Sequence, residues 1–212
     1  FTPGVGRAGP ADAAARTALL RQARAHGIRL VGPDSLGVIN TDPAVRLDAS
    51  LTPEPPRPGG LAVASQSGAV GTAILDHAFR GGCGISTFIS LGDKVDVSGN
   101  DLIAYWYDDP ATTAVALYLE SFGNPRKFAR IARALARRKP VLAVFSGAST
   151  AGRRRAAAAD SAATASGGAA TVTGDGDVAA RDPAAARGTR AGVSRATVDA
   201  LFAQAGVVRA AD

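Results

Sequence analysis

Residues 60–70 read GLAVASQSGAV, an apolar run that stops at a polar turn and continues into an amphipathic segment. The apolar run predicts a buried strand, and the amphipathic segment from Ala69 to Phe79 predicts a helix. The first amides of a helix lack intrahelical partners, so a turn of this kind can bind an anion. The predicted phosphate-binding residues are Ser65, Gln66, Ser67 as N-cap, and Gly68. The alternative is a capped helix that binds no ligand.

Strands and helices alternate regularly after this turn, which predicts βαβ units and a parallel sheet with helices on both faces. The fold class is therefore α/β. The predicted strands are 61–65, 84–90, 114–119 and 141–145, and the predicted helices are 69–80, 100–108 and 125–138.

The two ends of the chain are organised differently. Before residue 52 the pattern predicts a helix at 11–26, strands at 28–31 and 36–39, and no complete unit. Residues 52–60 (TPEPPRPGG) are a predicted linker and domain boundary. Residues 151–192 contain no Leu, Ile or aromatic residue, which predicts a mobile loop. Beyond it, Ser194 is expected to cap a helix at 195–205 that ends at Gly206, followed by a strand at 207–208.

Composition excludes some classes of function. The net charge is +6, yet no basic stretch is interleaved with aromatic residues, so nucleic-acid binding is not predicted. No apolar run is long enough for a transmembrane helix, and no signal peptide opens the chain. Cys83 is the single cysteine, which excludes an internal disulfide and favours a cytoplasmic location.

Polar loops follow four of the predicted strands and are expected to meet at one edge of the sheet. Glu120 directly follows an apolar strand, where it is a candidate general base, metal ligand or acceptor for a histidine; helix capping is the alternative. No nucleophile elbow, Walker A motif or metal-spaced His/Cys cluster is present. His26 and His77 are both expected at the surface.

Several stretches together resemble the NDP-forming acyl-CoA synthetases, the family of the succinyl-CoA synthetase α subunit and ADP-forming acetyl-CoA synthetase. The stretches are VGPDSLGVINTDPAVRLDASL (31–51), ASQSGAVGTAILDHA (64–78), SLGDKVDVSGNDLIAYWYDDP (90–110), YLESFGNPRKFARIARALARRKPVLAVFSG (118–147) and DALFAQAGVVR (199–209).

The resemblance implies a domain order. Residues 1–51 would be the C-terminal remnant of a Rossmann CoA-binding domain, and residues 61–212 a flavodoxin-like succinyl-CoA-ligase domain. It also implies that the turn at 65–68 receives a phosphohistidine that Glu120 orients. An active-site loop is implied at Gly32, Pro33, Asp34 and Ser35, with Asp34 where Asn is usual.

One departure from the family bears on catalysis. The phosphorylated histidine is expected soon after strand 141–145, but no histidine follows His77, and Ala159-Asp160-Ser161 stands at the nearest alignment. The sequence at 94–110 and 118–139 also resembles the ligase-like domains that are fused to GNAT-type lysine acetyltransferases. Those ligase-like domains often lack the phosphorylated histidine.

Two hypotheses follow from the resemblance. In the first, the chain is a CoA- or acyl-CoA-binding regulatory module of a larger protein such as a GNAT acetyltransferase. In the second, it is part of an active synthetase that uses ATP or ADP with Mg²⁺ and pairs with an ATP-grasp domain or subunit. Neither hypothesis involves a resident metal site, and a homo-oligomer is left open. A ligand-free scaffold kept for dimerisation is a third interpretation.

Overall fold

A computed structural model describes residues 10–146 and 194–210 of the chain. Within these ranges the strands are β1 (Gly37–Asn40), β2 (Leu47–Ser50), β3 (Pro58–Ser65), β4 (Ile85–Ser90), β5 (Ala114–Leu119), β6 (Val141–Phe145) and β7 (Val208–Arg209). The helices are α1 (Pro10–Ala25), α2 (Gly68–Arg80), α3 (Gly99–Asp108), α4 (Pro125–Ala136) and α5 (Arg195–Ala205).

The strands form one seven-stranded sheet in the order β2-β1-β4-β3-β5-β6-β7. Neighbours from β4 to β7 are parallel, whereas β1 pairs antiparallel with both β2 and β4. The parallel part has the strand order of a flavodoxin-like fold, with its topological switch point between β3 and β5. The predicted α/β, flavodoxin-like architecture is therefore confirmed, with two antiparallel strands added at one side.

Helices cover both faces of the sheet, as predicted. Val63 of β3 belongs to a core cluster with Leu75 and Ala78 of α2, while its neighbours Ala62 and Ala64 belong to the other cluster. Successive side chains of a strand point to opposite faces, so the two clusters lie on opposite sides of the sheet. The second cluster packs α3, α4 and α5 through buried side chains that include Trp106, Phe128, Leu135, Val198 and Phe202.

The strand predicted at 28–31 is wrong, because this segment pairs with a loop and not with another strand. The Leu30 amide donates to the Asp96 carboxylate at 3.0 Å, and the Leu30 carbonyl accepts from the Val97 amide at 3.0 Å. Backbone hydrogen bonds to a loop and to a side chain satisfy the segment without extending the sheet.

The strand β2 was missed by the sequence analysis, and its short Leu-Asp-Ala-Ser run explains why. Four residues are a short run, and Asp and Ala are depleted in strands, so the stretch carries almost no strand signal. β1 and β2 pair with each other and join the same sheet as β3–β7. The domain boundary at 52–60, with residues 1–51 assigned to a Rossmann remnant, stays a prediction.

The strand β3 begins three residues earlier than predicted, at Pro58. Its first residues lie against the segment that leads into β4. A Cβ on Gly59 would meet Gly84 Cα at 2.3 Å. The register shifts between Pro58 and Ala62, so this part of the strand is irregular. The mobile loop predicted at 151–192 lies outside the described residues.

Candidate functional site

The turn at residues 65–68, called the SQSG turn below, is shaped by its own serine side chains. Ser65 Oγ donates to the Ser67 carbonyl at 2.6 Å and accepts from the Ser67 amide at 3.2 Å. Ser67 Oγ accepts from the Val70 amide at 3.4 Å, so Ser67 is the predicted N-cap of α2. The hydroxyl of Ser65 is thus engaged within the turn, and the groups left to meet an anion are the first amides of α2.

The start of α2 is packed closely against its surroundings. A Cβ on Gly68 would meet Leu36 Cγ at 3.3 Å, and a Cβ on Gly71 would meet Phe88 Cζ at 3.0 Å. Both contacts are tighter than ordinary van der Waals distance. Glycine at these positions lets the helix approach both the sheet and the segment that follows the predicted active-site loop.

The side chain of Gln66 joins the SQSG turn to the end of β5. Gln66 Oε1 accepts from the Glu120 amide at 2.9 Å and from the Ser121 amide at 3.0 Å. Gln66 Nε2 donates to the Ser121 carbonyl at 2.9 Å. Gln66 was predicted to bind phosphate; in the structure it fixes the backbone that carries Glu120 beside the turn.

Lys94 lies at the same edge of the sheet and was not singled out from the sequence. Its Nζ donates to Ser121 Oγ at 2.5 Å and to the Ser121 carbonyl at 3.4 Å. Burial lowers the pKa of Lys94 to about 8, although the carboxylates of Glu120 and Asp93 act in the opposite direction. A lysine in the short polar loop after the buried strand β4, four residues past its end, was the signal that would have found this residue.

The predicted active-site loop at residues 32–35 is anchored to the loop at 91–97, which carries Lys94. The Gly32 carbonyl accepts from the Val95 amide at 3.1 Å, and the Pro33 carbonyl accepts from the Asp93 amide at 2.9 Å. The two loops approach so closely that a Cβ on Gly92 would meet the Pro33 oxygen at 1.9 Å. Gly92 also has φ +53, so two independent features require glycine there.

Ser35 connects this active-site loop to the sheet. Its Oγ donates to the Ser90 carbonyl at 2.5 Å and accepts from the Gly37 amide at 2.9 Å. The loop, which also contains Asp34 in a left-handed conformation at φ 57, is therefore held against the end of β4. The role implied for it by resemblance, a part of an active site, stays a prediction.

Asp96 fixes the position of the loop that carries Lys94. Its side chain is only 1% exposed and accepts from Arg29 Nε at 2.7 Å, Arg24 at 3.0 Å and the Leu30 amide at 3.0 Å. Burial by itself would raise the pKa of Asp96, but these donors outweigh it and hold the pKa at about 2. Sequence analysis missed this residue because its partners are more than sixty positions away.

The predicted polar loops that follow β3, β4 and β5, at residues 65–68, 91–94 and 120–124, therefore meet at one edge. This edge lies next to the switch point between β3 and β5, where ligands bind in open α/β sheets. The two histidines do not join them. His77 is exposed in the last turn of α2, roughly 14 Å along the helix from the SQSG turn. His26 is exposed after α1 and its Nδ1 contacts the Gln22 carbonyl at 2.9 Å.

Two kinds of feature are absent from the described ranges. His, Cys, Asp and Glu side chains there form no group of three or more that would hold a metal ion. None of the described helices combines the length and apolar character that crossing a bilayer requires.

Comparison with known protein families identifies this arrangement. The profile of the succinyl-CoA ligase like flavodoxin domain matches residues 58–174, more than half of the chain. The chain belongs to this family. The matched region begins with β3 and includes the SQSG turn, Lys94 and Glu120.

Relatives that the chain resembles in sequence are named as acyl-CoA ligases. The chain is 36% identical over 152 residues to acetate–CoA ligase [ADP-forming] I of Archaeoglobus fulgidus, covering 72% of this chain and 22% of that protein. It is 34% identical to the α subunit of acetate–CoA ligase [ADP-forming] I of Pyrococcus furiosus, covering 72% of this chain and 32% of the subunit. The chain thus spans about a fifth to a third of these relatives.

Solved structures agree with this assignment. One match is a dinucleotide-forming acetyl-coenzyme A synthetase from Ca. Korarchaeum cryptofilum, solved in complex with phosphate and ADP. Its TM-score is 0.69 at 28% identity, and the match covers 93% of this chain and 36% of that one. The protein PH0766 of Pyrococcus horikoshii matches with a TM-score of 0.72 and 26% identity, covering all of this chain and 37% of that one. These similarities support the NDP-forming acyl-CoA synthetase family at the level of the domain.

Proposed function

We propose that this chain is a CoA- or acyl-CoA-binding module of the NDP-forming acyl-CoA synthetase family that lacks the phosphohistidine and regulates a larger protein, such as a GNAT-type acetyltransferase. The observation that supports the proposal is that Glu120 lies beside the SQSG turn while neither histidine of the chain does. Gln66 holds Glu120 beside the SQSG turn, whereas His26 and His77 are both exposed elsewhere.

The SQSG turn suits a phosphoryl group. The first amides of α2 point out of the helix, and Gly68 has no side chain to obstruct them. A charge at such a terminus is stabilised by about 0.3–1 kcal/mol when exposed and up to roughly 2 kcal/mol when partly buried. These energies support binding and orientation of a phosphoryl group, and covalent transfer would need a nucleophile in addition.

The proposed ligand is CoA or its thioester, bound with the help of the loop at residues 32–35. That loop is anchored to β4 through Ser35 and to the Lys94 loop through Gly32 and Pro33, so a ligand contacting it would be sensed across the sheet edge. The proposed partners are an ATP-grasp domain or subunit, or a fused acetyltransferase domain. A second copy of this chain is a further candidate partner.

An active synthetase is the second candidate, and its support is the 36% identity to an ADP-forming acetate–CoA ligase. Such an enzyme would interconvert acyl-CoA, ADP and phosphate with the acid, CoA and ATP. The histidine would then be supplied from outside this chain, and ATP or ADP with Mg²⁺ would be bound by the ATP-grasp partner. Glu120 would orient the incoming imidazole at the SQSG turn.

Phosphorylation separates the two candidates. The intact protein is incubated with radiolabelled ATP and Mg²⁺, and acid-labile phosphate is measured, with an ADP-forming acetate–CoA ligase as the positive control. We expect no label on this chain, and acid-labile label on it would overturn the regulatory proposal. Calorimetry with acetyl-CoA tests the sensor itself: neither heat nor a thermal shift would count against CoA binding.

A further inference from the structure

Helix α4 is divided into an apolar face and a basic face. Phe128, Ala132 and Leu135 are buried in the core cluster beneath the helix. Four exposed arginines lie on the opposite face and are called the basic stripe below: Arg126, Arg130, Arg133 and the C-cap Arg137. At about 100° and 1.5 Å per residue, their spacing of four, three and four positions places them within about 60° of arc, in a row roughly 16 Å long.

The cations on the flank of α4 that faces α3 are used within the protein. Lys127 Nζ lies 3.9 Å from the Asp101 carboxylate, and a guanidinium nitrogen of Arg138 lies 3.7 Å from the Asp108 carboxylate. Both carboxylates belong to α3. The acidic side chains of the helix next to α4 are therefore paired with the flank and do not neutralise the basic stripe.

The basic stripe itself contributes little to the fold. Arg133 Nε donates to the Gln204 carbonyl at 3.0 Å. The side chains of Arg126, Arg130 and Arg137 make no hydrogen bond or ion pair with the residues that the structure describes. Like charges three or four positions apart destabilise a helix, and α4 contains no acidic residue that would offset them. Folding stability therefore does not account for the row of arginines.

The helix α5 extends this surface with small, uncharged side chains. It packs beside α4 on the same face of the sheet and buries Val198 and Phe202. The residues on the face of α5 opposite these side chains are exposed and are called the alanine patch below: Ala196, Ala200 and Ala203. The basic stripe and the alanine patch both face away from the sheet, so a partner helix could approach α5 closely and reach the arginines of α4 with its charged side.

The charges on this chain indicate a different protein as the partner. No helix in the described ranges carries more than two acidic residues, so a second copy offers no helical row of carboxylates to the basic stripe. The basic stripe and the alanine patch contain no aromatic side chain on which a nucleic-acid base could stack. Arginine binds carboxylates through a planar fork of donors, which suits an acidic protein surface.

We propose that the basic stripe and the alanine patch dock an acidic amphipathic helix of a partner protein. Its carboxylates, spaced four and three positions apart, would contact Arg126, Arg130, Arg133 and Arg137, and its small or apolar side chains would lie on the alanine patch. This interaction surface goes beyond the proposed function and depends neither on CoA binding nor on a phosphohistidine.

Fluorescence anisotropy of the full chain with a labelled peptide of three EAAAEAA repeats tests the proposal. Low ionic strength is used because salt screens exposed ion pairs. We expect saturable binding that Arg130→Glu weakens at least about fivefold. Arg21→Glu is the matched control, because Arg21 is an exposed arginine of α1 and the net charge changes equally; an effect below about twofold is expected. Ala200→Trp, at an exposed position, is expected to weaken binding several-fold by obstructing the alanine patch.

Two measurements separate docking from folding and from the proposed function. Arg130→Gln relieves repulsion with Arg126 and Arg133, so its thermal midpoint should equal or exceed that of the wild type; a lower midpoint would show that the basic stripe supports the helix and would overturn the inference. Calorimetry with acetyl-CoA should give the same result for the wild type and Arg130→Glu. A chain that binds the peptide but not acetyl-CoA would contradict the proposed function alone.

Three results would overturn the docking surface. The first is no saturable peptide binding by the wild type, or equal binding by the wild type and Arg130→Glu. The second is tighter binding of a duplex DNA than of the peptide, because it would assign the basic stripe to nucleic acid. The third is self-association in sedimentation that Arg130→Glu abolishes, because it would assign the surface to a second copy of the chain.

Discussion

Replacing Asp96 by asparagine tests the connection between the N-terminal segment and the loop that carries Lys94. Asp96→Asn preserves the shape of the side chain and removes the charge that Arg24 and Arg29 contact. The arginine side chains are 51% and 58% exposed, so they regain water when the carboxylate is lost. The expected loss in the free energy of unfolding is therefore the stabilisation that the folded protein gives to the ionised Asp96 carboxylate.

The pKa of Asp96 gives the magnitude of this stabilisation. A fall from the ordinary value of 3.8 to about 2 corresponds to about 2 kcal/mol, because one unit is about 1.4 kcal/mol. The folded-state pKa lies below the unfolded one, so the stabilisation is present above about pH 4 and is lost as the pH falls towards 2.

Urea denaturation of the wild type and Asp96→Asn at several pH values measures this directly. The free energies of unfolding should differ by about 2 kcal/mol at pH 7 and converge between pH 4 and pH 2. Asp108→Asn is the control, because Asp108 is 83% exposed and its pair with Arg138 is long, at 3.7 Å; a change within about 0.5 kcal/mol is expected. A difference that stays constant with pH would refute the reasoning.

Three further substitutions test the site. Gln66→Ala removes three hydrogen bonds to residues 120–121 and should lower the free energy of unfolding by about 1–3 kcal/mol in urea denaturation. Gln204→Ala, at an exposed helical position, is the control and should change the free energy of unfolding little. Gly92→Ala should destabilise the protein strongly, because a Cβ there would clash with the Pro33 carbonyl. Its control is Gly82→Ala, at φ +68 with open space around it, which should cost only about 1–2 kcal/mol in thermal denaturation. Equal losses of stability in the two variants would contradict the contact argument. Lys94→Asn should leave the free energy of unfolding unchanged or raise it by up to about 1 kcal/mol, and a loss above about 1 kcal/mol would show that Lys94 supports the fold.

The parallel part of the fold was predictable because its signals are local. Strands β5 and β6 and helix α5 have the predicted bounds, and Ser67, Ser194 and Gly206 occupy the predicted capping positions. Capping residues and apolar periodicity act within a few positions of the chain, so the sequence expresses them directly.

The N-terminal part was less predictable because its contacts are distant in sequence. Leu30 pairs with Asp96 and Val97, and β1 pairs with β4, so neither segment reveals its partner locally. The site shows the same division. The sequence predicts that the polar loops share an edge, but the side-chain bridge from Gln66 to the end of β5 depends on two strands that are about fifty residues apart.

The fold itself accounts for much of the SQSG turn, and that changes which residue best indicates function. Ser65 and Gln66 use their side chains to bond the backbone, so folding alone explains their presence. Lys94 is different. It adopts φ 52, which costs a non-glycine residue on the order of 1 kcal/mol, and burial disfavours its charge. Its hydrogen bonds go to Ser121, an exposed residue, and give the fold little in return. A lysine held under two unfavourable conditions at the edge of the sheet where ligands bind is better explained by a ligand than by stability.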